Sequence, residues 1–441
     1  MRAKRLELAG WGRYPRAAGD AFRAERIADI EAALREKPSL IARGGGRSYG
    51  DQALNREGAV LLTGRLDRLL GFDEATGILE CEPGVTFRTL IDIFLPRGWA
   101  APVSPGTGFA TLGGAVANDV HGKNHDRVGS FGDHLVWIEL MLANGLTVRL
   151  SADENAELFR ATIAGMGLTG IITALAVRLM RVASNAVDRR LARMTDLDAF
   201  IAALAAARET ATYSVGWIDA LATGKALGRG ILETAEPAAE GLPATRRKAR
   251  GVPVELPGFL LNPASVRLFN FAYYRRVPAA GRQERVALER FLYPLDAIQD
   301  WNRIYGRRGF HQFQCVVPDE AAPRALRRML EAVSAAGSAS FLAVLKSLGS
   351  DGRGMLSFPT RGYTLALDFP HRRGVEALLG ELEHLTLEYG GRAYLAKDSA
   401  LTPGAVAVMY RRLPEFRALL ARVDPEGRFC SDMARRLGIR P

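Results

Sequence analysis

Apolar positions recur with helical spacing in residues 24–36, 86–100, 196–209, 320–337 and 374–390, and each run predicts a helix with one face toward a core. Pro96 and Gly98 end the second of these. Shorter apolar runs bounded by turn residues predict strands at "SLIA", "AVLL", "GILEC", "TYSVGWIDAL", "FHQFQCVVP", "FLAVLKSLG" and "YTLALDFP". In residues 156–182 a helix, a glycine turn and a strand follow one another.

This pattern divides the chain. Residues 1–182 read as an α+β domain with repeated glycine turns, and 183–391 as a second α+β domain of sheet and helices. Residues 392–441 form a C-terminal segment, expected to complete the active site and pack back on the first domain. Residues 234–270 lack a clear period and read as a long mobile loop. Within it, 244–266 is basic first, with Arg246, Arg247, Lys248 and Arg250, and then apolar with three prolines.

The glycine turns point to chemistry. "RGGGRSYGD" at 43–51 follows a strand and exposes backbone N–H groups with no side chains in the way. It lacks the Gly-Lys-Ser/Thr of a P-loop and the compact βαβ setting of a GxGxxG fingerprint. Alone it suits a tight turn without a ligand better than a ligand cradle. "PGTGFATLGGAVAND" at 105–119 and "GMGLTGII" at 165–172 add two more such turns. Three backbone cradles in one domain suit a long ligand with several polar groups, such as a dinucleotide.

Composition narrows the partners. The 441 residues carry a net charge of +11, which suits nucleic acid, an anionic membrane face or phosphate-bearing substrates, or reflects liberal arginine usage. Cys81, Cys315 and Cys430 are scattered and form no CxxC. No signal peptide or transmembrane run is evident, so the protein is expected in the cytoplasm, with peripheral membrane contact left open. His121, His125 and His134 invite a metal reading, but the glycines around them break any common helical face, and no metal is expected.

In that order, the three turns resemble the FAD-binding domain of the vanillyl-alcohol oxidase and p-cresol methylhydroxylase type. The likeness covers residues 10–182 and implies a two-domain α+β FAD-linked oxidase fold. It implies FAD contacts from Gly44, Gly45, Gly46, Arg47, Ser48, Tyr49, Gly106, Thr107, Gly113, Gly114, Asn118, Gly122, Gly170, Ile172 and Tyr394. Many members carry a histidine where this chain has Arg47, and that histidine can bond covalently to the flavin. Arginine cannot, so FAD is expected to be non-covalent unless His121 or His125 makes the link. Arg47 can instead offer the pyrophosphate a forked cation.

"HGKNH", "GSFG", "WNRIYG", "FHQFQCVVP", "LSFP", "LDFP", "AKDS" and "DMARRL" extend a resemblance over the whole chain to the flavin subunits of decaprenylphosphoryl-β-D-ribose 2-epimerases. That resemblance implies FAD-dependent oxidation of the 2-hydroxyl of a polyprenylphosphoryl ribose to a ketone. A separate short-chain NAD(P)H-dependent reductase would then complete epimerisation to an arabinose donor for the cell envelope. Lys397 is implied at the reacting hydroxyl, as a neutral base or as a cation supporting an alkoxide. Tyr49 and His121 join it as the catalytic set. Gln312 and Gln314, two apart on one strand, are expected to read sugar hydroxyls and Lys346 the phosphate. Trp217, in the pocket wall, and Asp368 are expected among the substrate-contacting residues, Asp368 alternatively positioning a lysine or being structural. Members trapped covalently by nitroaromatic inhibitors carry a cysteine where the register here puts Ala366. A sugar-lactone or alditol oxidase of the same fold is the first alternative. A basic nucleic-acid-binding protein is the second, though no basic platform interleaved with aromatics stands out.

Overall fold

The computed structural model describes residues 3–243, 250–338 and 341–440. Its first sheet has four strands in the order Lys4–Ala9, Arg16–Arg23, Ala59–Leu62, Leu40–Arg43. The first pair is antiparallel and the other two pairings are parallel. Helix Ile27–Glu36 crosses over this sheet, and its Ile30, Ala33 and Leu34 are buried with Phe22, Leu40 and Leu61. A second sheet of five antiparallel strands runs Leu69–Asp73, Ile78–Cys81, Ile171–Arg178, Leu135–Met141, Thr147–Ser151. Helices Phe87–Ile93 and Leu112–Asn118 pack on it through Phe87, Leu90, Leu112 and Val116.

The third sheet has eight antiparallel strands. Their order is Arg282–Ala287, Ala186–Met194, Gly230–Pro237, Tyr213–Ile218, Ala343–Leu348, Gly362–Pro370, Phe310–Val317, Arg392–Ala393. Side chains alternate across its faces, as a pleated strand requires. Phe313, Cys315, Ala343, Leu345, Leu365 and Leu367 join one core with residues of helices Leu197–Thr210, Ala322–Ala336 and Val375–Glu388. Gln312, Gln314, Val344, Lys346 and Ala366 take the opposite face, which floors a large cavity.

After the eighth strand the chain returns to the first sheet. Phe429 bridges Leu40 and is buried in the same core as Phe22. Arg436 donates to both carboxylate oxygens of Asp51 at 2.9 and 2.8 Å and to Asp398 at 2.8 Å. The tail thus ties the end of the first glycine turn to the segment that carries Lys397.

One sequence expectation changes. Residues 234–270 are not a single loop. Strand Gly230–Pro237 runs into its start, and helix Pro263–Arg275 occupies its end. The helix begins with Asn262 accepting from the N–H groups of Ala264 and Ser265, and Pro263 stands in its first turn. Arg246, Arg247 and Lys248 lie outside the described residues, while Arg250 opens a two-residue strand pairing with Ile298–Gln299.

Candidate active site

The cavity between the three sheets has a volume of about 2430 Å³. The glycine turns of the first domain form one wall. Gly44 and Gly45 pack so closely that an added Cβ would meet Thr111 Oγ1 at 2.2 Å and the Phe109 carbonyl at 2.5 Å. Gly113 abuts Pro83 in the same way, at 2.6 Å. Gly46 has φ of 63°, the left-handed conformation that a glycine adopts without strain. Gly50 answers to another constraint: an added Cβ there would lie 1.9 Å from the Asp398 carbonyl oxygen. The first and second turns therefore nest against each other, and the first against the Lys397 segment.

All but one of the residues expected at the site line this cavity. The FAD set lines it in full: Gly44, Gly45, Gly46, Arg47, Ser48, Tyr49, Gly106, Thr107, Gly113, Gly114, Asn118, Gly122, Gly170, Ile172 and Tyr394. His121, Trp217, Gln312, Gln314, Lys346 and Lys397 line it too. Asp368 is the exception and a correction to its expected substrate contact. It is fully buried behind the wall, accepting from Gln312 Nε2 at 2.5 Å and the Tyr305 hydroxyl at 3.1 Å. It holds the Gln312 amide by this bond, and its charge acts on Lys397.

Arg47 lies over the ring of Trp11 at 4.2 Å and that of Phe109 at 5.1 Å, and its Nε is buried without a partner. Tyr394 donates to the Asn118 carbonyl at 2.9 Å and stacks on Phe358. Asn118 donates to the Gly114 carbonyl at 2.8 Å and accepts from Gln52 at 2.5 Å.

Three enclosed lysines, Lys397, Lys346 and Lys123, line the same cavity. Lys397 Nζ sits 3.9 Å from the centre of the Tyr49 ring. Desolvation pushes this lysine down to about 7, against the raising pull of Asp368 and with help from Lys346. Lys346 and Lys123 are each pushed down to about 8, again chiefly by desolvation. Burial also raises the Asp368 carboxyl to about 7. Gln314 Nε2 donates to His121 Nε2 at 3.0 Å, which leaves the ring proton on Nδ1. Burial holds that histidine well below its usual range, so it is neutral. Across the sheet, Gln314 pairs with Ala366, Ala366 with Val344, and Val344 with Trp217, which makes one continuous row on the cavity floor.

The three histidines of the "HGKNH" region face different partners. His125 Nδ1 accepts from the Gly349 N–H at 3.0 Å, and His134 meets the Val128 carbonyl at 2.9 Å. Among the described residues no group of three metal-ligating side chains converges.

Sequence reasoning missed Asp296, Gln52 and Lys123. Asp296 accepts from Thr107 Oγ1 and the Gly108 N–H, both at 2.7 Å, and so clamps the second turn from 188 residues away. No local signal marks it. Lys123 stood inside a quoted motif, flanked by histidines that drew the attention.

The family described as FAD binding domain matches residues 22–151, and that described as D-arabinono-1,4-lactone oxidase matches 362–437. The decaprenylphosphoryl-beta-D-ribose oxidase of Mycolicibacterium smegmatis is 36% identical, over 98% of this chain and 97% of the relative. A Streptomyces coelicolor protein from the mprA 5' region is 37% identical, over 80% of this chain and 100% of its own. A putative D-arabinono-1,4-lactone oxidase of Neurospora crassa is 26% identical, over 34% of this chain and 27% of its own.

Proposed function

Since the chain belongs to the decaprenylphosphoryl-beta-D-ribose oxidase family and is an FAD-dependent oxidoreductase, we propose that it oxidises the 2-hydroxyl of a polyprenylphosphoryl-β-D-ribose to the 2-keto sugar. The observation that carries this reading is Lys397, enclosed over Tyr49 and pushed down to about 7 beside two further enclosed lysines.

FAD fits the residues present. The side-chain-free cradles and the orphaned Arg47 Nε and Gln52 Oε1 await polar groups of a bound molecule. We assign its pyrophosphate to Gly44, Gly45, Gly46, Arg47, Ser48, Gly106 and Thr107, and the rest of the cofactor to the remaining members of the set above. FAD supplies the hydride acceptor. Arg47 cannot bond to the flavin, and among the described residues His121 is the one histidine lining the cavity, its Nε2 already engaged by Gln314, so in this reading the flavin is held without a covalent bond.

Lys397 Nζ, neutral in a good fraction of molecules near pH 7, takes the proton of the 2-hydroxyl. Asp368 keeps the Gln312 amide aimed, and Gln312 and Gln314 orient the sugar. Lys346 and Lys123, still largely protonated at pH 7, hold the phosphate. Trp217 and Ala366 floor the sugar site. The ketone then passes to a separate short-chain NAD(P)H-dependent reductase. In domain terms we assign cofactor binding to 1–182, substrate binding to 183–391 and completion of the site to 392–441.

Anaerobic addition of a short-chain prenylphosphoryl ribose should bleach the flavin spectrum, while free ribose and gulonolactone should not. The match of residues 362–437 favours one second reading, a sugar-lactone oxidase. Bleaching by the lactone and not by the lipid-linked sugar would select it.

A further inference from the structure

We propose that the face formed by helix Pro263–Arg275 and an adjoining arginine-lined hollow docks on an anionic lipid bilayer. For its purpose this rests on the lipid-linked substrate proposed above. Exposed apolar and cationic side chains gather on this face.

Eleven large apolar side chains are exposed among the described residues, and seven of them fall between residues 254 and 298. Surface apolar residues are normally scattered, so this clustering asks for an apolar partner. The helix itself is turned inside out. It buries only Val266 and Asn270, and Asn270 is bonded to Asp219 at 2.7 Å. Leu268, 70% exposed, and Phe271, one turn on, face outward. Phe259, just before the helix, is 74% exposed. A helix that buries its asparagine and presents leucine and phenylalanine has its apolar face toward something other than water.

The charge around it is one-sided. A hollow of about 740 Å³ is lined by Arg13, Arg16, Arg307, Arg308, Arg372 and Arg373, with Glu376 as its one acid. Arg13 and Arg16 pair with Glu255 and Glu7. Arg307, Arg308 and Arg373 form no salt bridge among the described residues, although the Glu255 carboxylate paired with Arg13 also feels the charge of Arg307. A second hollow joins the two features, since Arg307, Arg308 and Arg372 share it with Phe259 and Leu261. The guanidinium groups of Arg275 and Arg276 lie over the Phe271 and Tyr273 rings at 4.1 and 3.8 Å, and Arg276 also donates to the Tyr273 hydroxyl at 2.7 Å.

Arginines beside exposed phenylalanine and leucine match the two layers of a bilayer surface, anionic headgroup and acyl chain. A polyanion without an apolar layer would leave Leu268 and Phe271 in water. The active-site cavity opens on this face, because Phe269, Tyr273, Arg276 and Ile298 line it. A prenyl chain would then pass from bilayer to cavity without crossing water.

The test is co-sedimentation of the flavin-loaded full chain with phosphatidylglycerol–phosphatidylcholine vesicles at fixed salt. Pure phosphatidylcholine vesicles, a random-sequence DNA duplex and inorganic phosphate are the comparison arms. Two double variants are compared with the parent: Leu268→Ser with Phe271→Ser, and Arg307→Glu with Arg308→Glu. None of these four lines the cavity, so flavin content and oxidation of a short-chain water-soluble substrate should stay unchanged and certify folding. The expected result is at least ten-fold stronger partitioning of the parent onto the anionic vesicles, and at least a ten-fold loss in each variant. Variants that bind like the parent, a parent that ignores anionic vesicles, or binding confined to DNA or to phosphate would each overturn the proposal. Vesicle binding without flavin bleaching by the lipid-linked sugar would sink the substrate reading and leave the docking face standing.

Discussion

Replacing Arg47 by methionine isolates its charge from its packing. The methionine stem can still fill the space between Trp11 and Phe109, so the protein should fold with little change. The guanidinium and its buried, unpartnered Nε are lost. A hydrogen bond to a charged group contributes about 1.5–3 kcal/mol, and each 1.4 kcal/mol is roughly a factor of ten in affinity. FAD should therefore bind the Arg47→Met apoprotein about 10- to 150-fold more weakly. Titration of apoprotein with FAD, followed by flavin fluorescence, measures this. Melting of the two apoproteins should coincide. An unchanged FAD affinity would refute the assignment of Arg47 to the cofactor, and flavin that stays with acid-precipitated protein would refute a non-covalent site.

Lys397→Met should retain flavin and substrate binding but lose substrate-driven bleaching by about a hundred-fold or more, as removal of a general base does. The kcat/KM profile should be bell-shaped, rising through about 7 as Lys397 loses its proton and falling above about 8 as Lys346 and Lys123 lose theirs. A flat profile over pH 6–9 would contradict both roles. Asp368→Asn removes the group whose charge raises Lys397, so the acid limb should move to lower pH, and an upward move would be the wrong sign. Arg436→Met leaves the Asp51 and Asp398 carboxylates without their shared cation, a loss of about 3 kcal/mol read as a lowered unfolding midpoint. Peptide mapping after nitroaromatic treatment should find no adduct on Gly362–Pro370, where Ala366 offers no thiol.

The cofactor wall was legible in the sequence because it is made of backbone. Glycines crowded by Thr111, Phe109 and Pro83 leave a mark in any alignment-free reading, since no other residue fits. The glutamines were legible because strand alternation put both on one face. Asp368 was misread as a substrate contact because nothing in the sequence says that Gln312, its partner across the strand pair, stands in front of it. Asp296 was invisible because it acts through two hydrogen bonds closed only by the fold. Helix Pro263–Arg275 was missed for a different reason. Its start signal, Asn262 followed by Pro263, was present, but its apolar residues point outward, so the expected core-facing stripe was not there to find. Strands Ala186–Met194 and Arg282–Ala287 hid similarly, since both carry charged residues that pair across strands, as Arg189 does with Glu233 and Glu284 and Arg285 with Asp188.

The Arg436 clamp has a thermodynamic corollary. It joins three stretches that are remote in sequence: the end of the first glycine turn, the loop after Lys397, and the tail helix Asp432–Arg436. Whatever tightens the turn therefore tightens the tail, and the coupling is reciprocal. Flavin occupancy should protect the last helix from proteolysis and amide exchange, and loosening the tail should release flavin before it unfolds any of the three sheets. Cofactor retention in this fold is thus a gauge of tail attachment, and a sequence change near residue 436 can behave as a flavin-binding mutation without touching the cofactor.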